Sequence, residues 1–127
     1  MYTIKEVAER LQLKPHTLRY YEQEGILTPA RQDNGRRVYS EQDLKGLQFV
    51  QKLRETQMPI AKIKEYVQLA HEGEHTAQER LAILEKHRTF IQTQLKQLMA
   101  TEELIDYKVE TYKRMIEEKD TPSPVEQ

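Results

Sequence analysis

The chain contains no cysteine. Disulfides, cysteine-ligated zinc, iron–sulfur clusters and thiol chemistry are therefore excluded. No apolar run approaches the ~20 residues that a membrane-spanning helix needs. The opening residues, Met1-Tyr2-Thr3-Ile4-Lys5-Glu6, form no apolar signal region, so a cytoplasmic location is the expectation. Neither sign of charge is in surplus, with 20 Lys+Arg against 21 Asp+Glu. Any basic surface for a nucleic acid must then be local. There is no glycine-rich phosphate loop and no nucleophile with a paired base, so neither an enzyme nor a cofactor is expected. His71 and His75 are four apart, but Gly73 lies between them and breaks a shared helical face, so no metal site is expected.

What is present is helical. Charged residues make up 32% of the chain, which fits a small helical core plus a long solvated helix. Thr3-Ile4-Lys5-Glu6 is a capping box, and Ile4, Val7, Ala8 and Leu11 follow at helical spacing. After a turn at Gln12-Leu13-Lys14, a second helix is predicted from Pro15 to about Glu24, closed by Gly25. Two short helices across such a turn form a helix-turn-helix, whose second helix is the reader of a major groove. Leu18 and Tyr21 point toward the first helix, while His16, Thr17 and Arg19 face outward. Lys14 is a poor N-cap, and its charge is placed to meet a phosphate at the helix start.

Asn34-Gly35 predicts a hairpin, since both turn positions accept positive φ. Arg31, Arg36 and Arg37 surround it, as expected of a small wing that grips a phosphate backbone. Ser40 caps a third helix whose buried side is Leu44, Leu47, Phe49, Val50 and Leu53. Pro59 opens a fourth, with Ile60, Ile63 and Val67, and Gly73 closes it. Thr76-Ala77-Gln78-Glu79 reads as another capping box and starts a helix that meets no proline or glycine before Asp120. Leu84, Ile91, Leu98, Ile105 and Tyr112 recur every seven residues, with Leu81, Leu95 and Val109 at the companion position. That is a coiled-coil seam of about five heptads. At ~1.5 Å per residue the helix reaches about 60 Å. An apolar seam of that length needs a second copy, and antiparallel packing brings Arg88 opposite Glu102, the two charged residues that interrupt it. His87 is expected at the surface or the seam edge. The domains expected are 1–75, a winged helix-turn-helix with accessory helices; 76–120, the dimerisation helix; and 121–127, a disordered tail with two prolines.

Thr17-Leu18-Arg19-Tyr20-Tyr21-Glu22, then Gly25-Ile26-Leu27, then Asn34-Gly35-Arg36-Arg37-Val38-Tyr39-Ser40, resemble the MerR family of bacterial transcription regulators. The resemblance runs along nearly the whole chain. It implies a mainly α fold, with an N-terminal winged helix-turn-helix and a long antiparallel coiled-coil dimerisation helix. It implies a homodimer on a pseudo-palindromic promoter operator, acting with RNA polymerase by bending and untwisting the DNA. The expected DNA contacts are Lys14, His16, Thr17, Arg19 and Tyr20 on the second helix, Arg36, Arg37 and Tyr39 on the wing, and Arg54 near the operator centre. The expected seam is Leu84, Ile91, Leu95, Leu98, Ile105, Val109 and Tyr112. Phe49-Val50-Gln51-Lys52-Leu53-Arg54, Met58-Pro59-Ile60 and Glu79-Arg80-Leu81 with Ile83-Leu84 look like the aldehyde-responsive subgroup. Lys52 stands where that subgroup keeps its sensing cysteine, and is a weak effector candidate. The competing reading is a structural coiled-coil adaptor with a degenerate head, distinguished by whether the chain binds DNA.

Overall fold

The computed structural model describes residues 1–120; the tail expected to be disordered lies outside them. The elements are α1 (Ile4–Leu11), α2 (Pro15–Gln23), β1 (Ala30–Arg31), β2 (Arg37–Val38), α3 (Glu41–Glu55), α4 (Ile60–Glu72) and α5 (Ala77–Asp120), with a short 3-10 turn at Glu74–Thr76. They form two compact units, Met1–His87 and the part of α5 from Arg88 onward.

The N-terminal unit is built on short helices that start and stop at chemically defined points. Thr3 and Glu6 cap α1 reciprocally, at 3.2 and 3.1 Å. Gln12 ends α1 in the left-handed conformation, and the Leu13 amide closes on the Ala8 carbonyl at 2.9 Å. Lys14 is extended, as the residue before a proline prefers, and makes no side-chain cap. Gly25 closes α2 at φ +77°, a value costly for other residues, while the Ile26 amide reaches back to the Tyr21 carbonyl. α1 and α2 lock together through Val7, Ala8, Leu11, Leu18 and Tyr21, all buried.

β1 and β2 pair antiparallel, with Ala30 against Val38 and Arg31 against Arg37. The hairpin forms, but not as a two-residue Asn-Gly turn. The Gln32 amide bonds the Arg36 carbonyl and the Gly35 amide bonds the Gln32 carbonyl, both at 2.8 Å. Only Gly35 takes positive φ in this loop, and Asn34 instead accepts the Arg36 amide on its side chain. Tyr2 adds a bridge to Tyr39 at the base of the wing, tying the chain start to it.

α3 carries a second capping box, between Ser40 and Asp43. Its buried face is Leu44, Leu47, Val50 and Leu53, which join Ile26, Leu27, Met58 and Ile63 in one core. Burial of each such side chain stabilises the fold by about 1.5–3 kcal/mol. Phe49, expected inside, is 42% exposed and packs its ring against Tyr66 at 5.8 Å. The capping box expected at Thr76 does not form. Its buried hydroxyl points at the Leu69 and Gly73 carbonyls and accepts from Arg80 Nε, so it is spent joining α4 to α5.

Two residues near the start of α5 pack on the N-terminal unit. His87 is buried, not at a surface, and contacts Thr56 of α3. Leu84, expected in the seam, is half-buried against the core of the N-terminal unit together with Ile83. In the C-terminal unit Ile91, Leu95, Leu98, Ile105, Val109 and Tyr112 are all exposed. No helix among the described residues is long and apolar enough to cross a membrane.

Candidate nucleic-acid interface

The buried pair Leu18 and Tyr21 fixes which way α2 faces. Lys14, His16 and Arg19 are consequently exposed, Tyr20 is 41% exposed, and Thr17 lies half-buried beside them. The side chains of Lys14, His16 and Arg19 have no hydrogen-bond or ion-pair partner among the described residues. Proline occupies the first turn, so the positive end of the helix dipole lies beside an uncommitted lysine. The Tyr20 ring leans on that of Tyr21, with centroids 6.1 Å apart.

Glu22, the last acidic position of the tyrosine motif, organises the wing. Its Oε1 accepts from Arg31 Nη2 at 2.8 Å, and its Oε2 accepts from Arg37 Nε. Arg31 Nη1 also donates to the Gly35 carbonyl at 2.9 Å. Arg36 is exposed at the loop, and its guanidinium has no partner among the described residues. Sequence reading misses Glu22 because a contact spanning nine and fifteen positions across an irregular loop leaves no periodic signature.

Tyr39, expected at the DNA, is instead a core residue. It is fully buried, and its hydroxyl has no hydrogen-bond partner among the described residues. Burial is the main force raising its phenol, and the neighbouring Glu22 carboxylate adds to it. A phenol enclosed on all sides cannot reach a duplex.

Arg54 is exposed near the end of α3, and one guanidinium nitrogen leans on the Met58 carbonyl at 3.4 Å. Lys52 is 74% exposed at its side chain and pairs with Glu55 at 3.3 Å. A lysine that condenses with a carbonyl compound needs a desolvated site or a cationic neighbour, and Lys52 has water and a carboxylate. Among the described residues no group of three or more His, Asp or Glu side chains could hold a metal ion.

An exposed cationic helix beside an arginine-bearing wing defines a winged helix-turn-helix regulator of transcription. The MerR HTH family regulatory protein description matches residues 2–70, and the MerR DNA-binding description matches residues 44–107. An uncharacterized HTH-type transcriptional regulator of Haemophilus influenzae is 31% identical over 114 residues, 89% of this chain and 84% of that protein. The Bacillus subtilis regulator AdhR is 38% identical over 86 residues, 67% of this chain and 61% of that protein. The crystal structure of HiNmlR, a MerR family regulator lacking the sensor domain and bound to promoter DNA, superposes with a TM-score of 0.82 at 31% identity. That match covers 89% of this chain and 90% of HiNmlR. This chain belongs to the MerR family and is a DNA-binding transcriptional regulator. The coiled-coil adaptor reading is thereby set aside.

Proposed function

We propose that two copies of this chain clamp a pseudo-palindromic operator and regulate transcription by bending and untwisting the promoter. The observation that carries this is the α2 face of Lys14, His16 and Arg19, cationic at both ends and uncommitted among the described residues. In this reading Arg19, His16 and Thr17 meet base edges, while Lys14, Tyr20, Arg36, Arg37 and Arg54 hold phosphates. Bending costs on the order of several kcal/mol, and paired backbone contacts at the two ends offset it.

The seam of Ile91, Leu95, Leu98, Ile105, Val109 and Tyr112 joins the copies, antiparallel, leaving Leu84 to brace the N-terminal unit. Its exposure, and the shallow apolar groove that Ile105, Val109 and Tyr112 share with Leu104 and Ile116, support a second helix there. The division at residues 75 and 76 then separates roles, reading and pairing, rather than compact bodies. RNA polymerase acts on the reshaped promoter, and the setting is the cytoplasm. The chain performs no catalysis, in keeping with relatives that are transcription regulators.

The aldehyde-responsive subgroup is the finer assignment. It draws on the segments around Phe49–Ile60 and Glu79–Leu84. Without cysteine no effector can be sensed through a thiol, and Lys52, the weak candidate at that position, is solvated and paired with Glu55. Footprinting on the protein's own promoter region tests the reading. Protection of two half-sites with a hyper-reactive centre is the expected pattern; an unprotected promoter would refute it.

A further inference from the structure

The three arginines of the wing are not equivalent. Arg31 spends both terminal nitrogens inside the protein, one on Glu22 and one on the Gly35 carbonyl. Arg36 spends none among the described residues. Arg37 is intermediate: Nε is held by Glu22, and its two terminal nitrogens have no partner among the described residues. A guanidinium is planar, so fixing Nε against one carboxylate oxygen also fixes the plane and direction of the other two donors. The hairpin has only two residues in each strand and no core of its own, so it cannot set that direction unaided. Glu22 can, because it stands on α2, which Leu18 and Tyr21 anchor in the core.

We propose that Glu22 is a positioning residue for DNA binding: it aims the free nitrogens of Arg37 at the backbone while Arg31 braces the loop. The wing arginines thus divide into a brace, an aimed contact and a mobile contact. This rests on the DNA-binding reading above, and it makes a prediction contrary to simple charge arithmetic. Glu22→Gln removes a negative charge from a surface that meets DNA. Electrostatics alone would then strengthen binding. Loss of aim weakens it.

The test uses the full chain and a duplex from its own promoter region, titrated by fluorescence anisotropy over a series of salt concentrations. Glu22→Gln is expected to bind on the order of tenfold more weakly, with a salt slope reduced by about one per wing lost. Arg37→Ala should do the same, and the double variant should be no worse than Arg37→Ala alone. Arg31→Met, which leaves the Glu22–Arg37 contact in place, should keep the native slope even if it melts earlier. Tighter or unchanged binding by Glu22→Gln would overturn the proposal. So would a further loss in the Arg37→Ala background, or an Arg31→Met slope as shallow as that of Glu22→Gln. A wild-type chain that fails to bind would instead remove the DNA-binding reading on which this one rests.

Discussion

Thr56 Oγ1 and His87 Nε2 lie 2.7 Å apart, joining the last turn of α3 to the early turns of α5. The same hydroxyl faces the Lys52 and Leu53 carbonyls, which can only accept. Its single proton therefore goes to a carbonyl, and the histidine nitrogen is the donor to it. Because His87 is 9% exposed, water cannot readily replace that bond. The contact holds the end of the helix that carries Arg54, so it links the stability of the N-terminal unit to one of its proposed DNA contacts.

His87→Ala is accordingly expected to destabilise by about 1–3 kcal/mol, from a lost hydrogen bond and a partly filled space. Thr56→Val should cost a similar amount, and the double variant less than the sum. Urea unfolding of the three variants checks this. Additive losses would show that the two side chains act separately.

Tyr39→Phe removes a buried hydroxyl that has no partner among the described residues. Stability should stay level or rise by up to about 1 kcal/mol, since the fold sheds an unsatisfied polar group. Operator affinity should not change, and a clear fall in it would restore Tyr39 to the interface. The pH dependence follows from the same burial. Tyr21 and Tyr39 are both raised above the ordinary phenol value, chiefly by desolvation. Their contribution is complete below about pH 10 and is lost as pH climbs through the raised folded values. Thermal melts across that range should show a smaller alkaline loss for Tyr39→Phe than for the native chain.

The local and periodic parts of this fold were legible in the sequence. The Thr3–Glu6 box, the Pro15 and Gly25 bounds of α2 and the Ser40 cap each depend on residues within a few positions. The heptads of α5 announce one long helix for the same reason. The misreadings fall where distant segments decide. Tyr39 sits among arginines in sequence, yet the Tyr2 bridge seals it inside. His87 looks like a helix-surface position until α3 lies against it. Thr76 matches a cap pattern, but the Leu69 and Gly73 carbonyls take its hydroxyl first. Glu22 could be seen only as part of a motif, since its partners lie across the loop that leads to the wing.

Arg19→Ala removes the exposed cation midway along the α2 helix. It should weaken specific binding by roughly 1–3 kcal/mol, with little effect on stability because the side chain is uncommitted in the fold. Anisotropy titrations against the operator and a scrambled duplex separate base reading from phosphate attraction. Equal losses on both would assign Arg19 to the backbone, and no loss on either would remove it from the interface.

Leu98→Asp places a carboxylate in the centre of the exposed seam, where the native leucine is 67% exposed in the single chain. Burial of that charge against a second helix is too costly, so the variant should sediment as a monomer and lose operator binding. A variant that remains dimeric would mean that the pairing surface lies elsewhere.

The central claim is that the cationic faces of α2 and the wing, paired across two copies, grip a promoter. Its most direct measurement is the affinity of the intact chain for its own promoter duplex between about 50 and 200 mM salt. With five cationic or polar grips proposed per copy, affinity should fall by on the order of a thousandfold or more across that range, while a scrambled duplex binds far more weakly throughout. A complex insensitive to salt, or equal affinity for the scrambled duplex, would contradict the account.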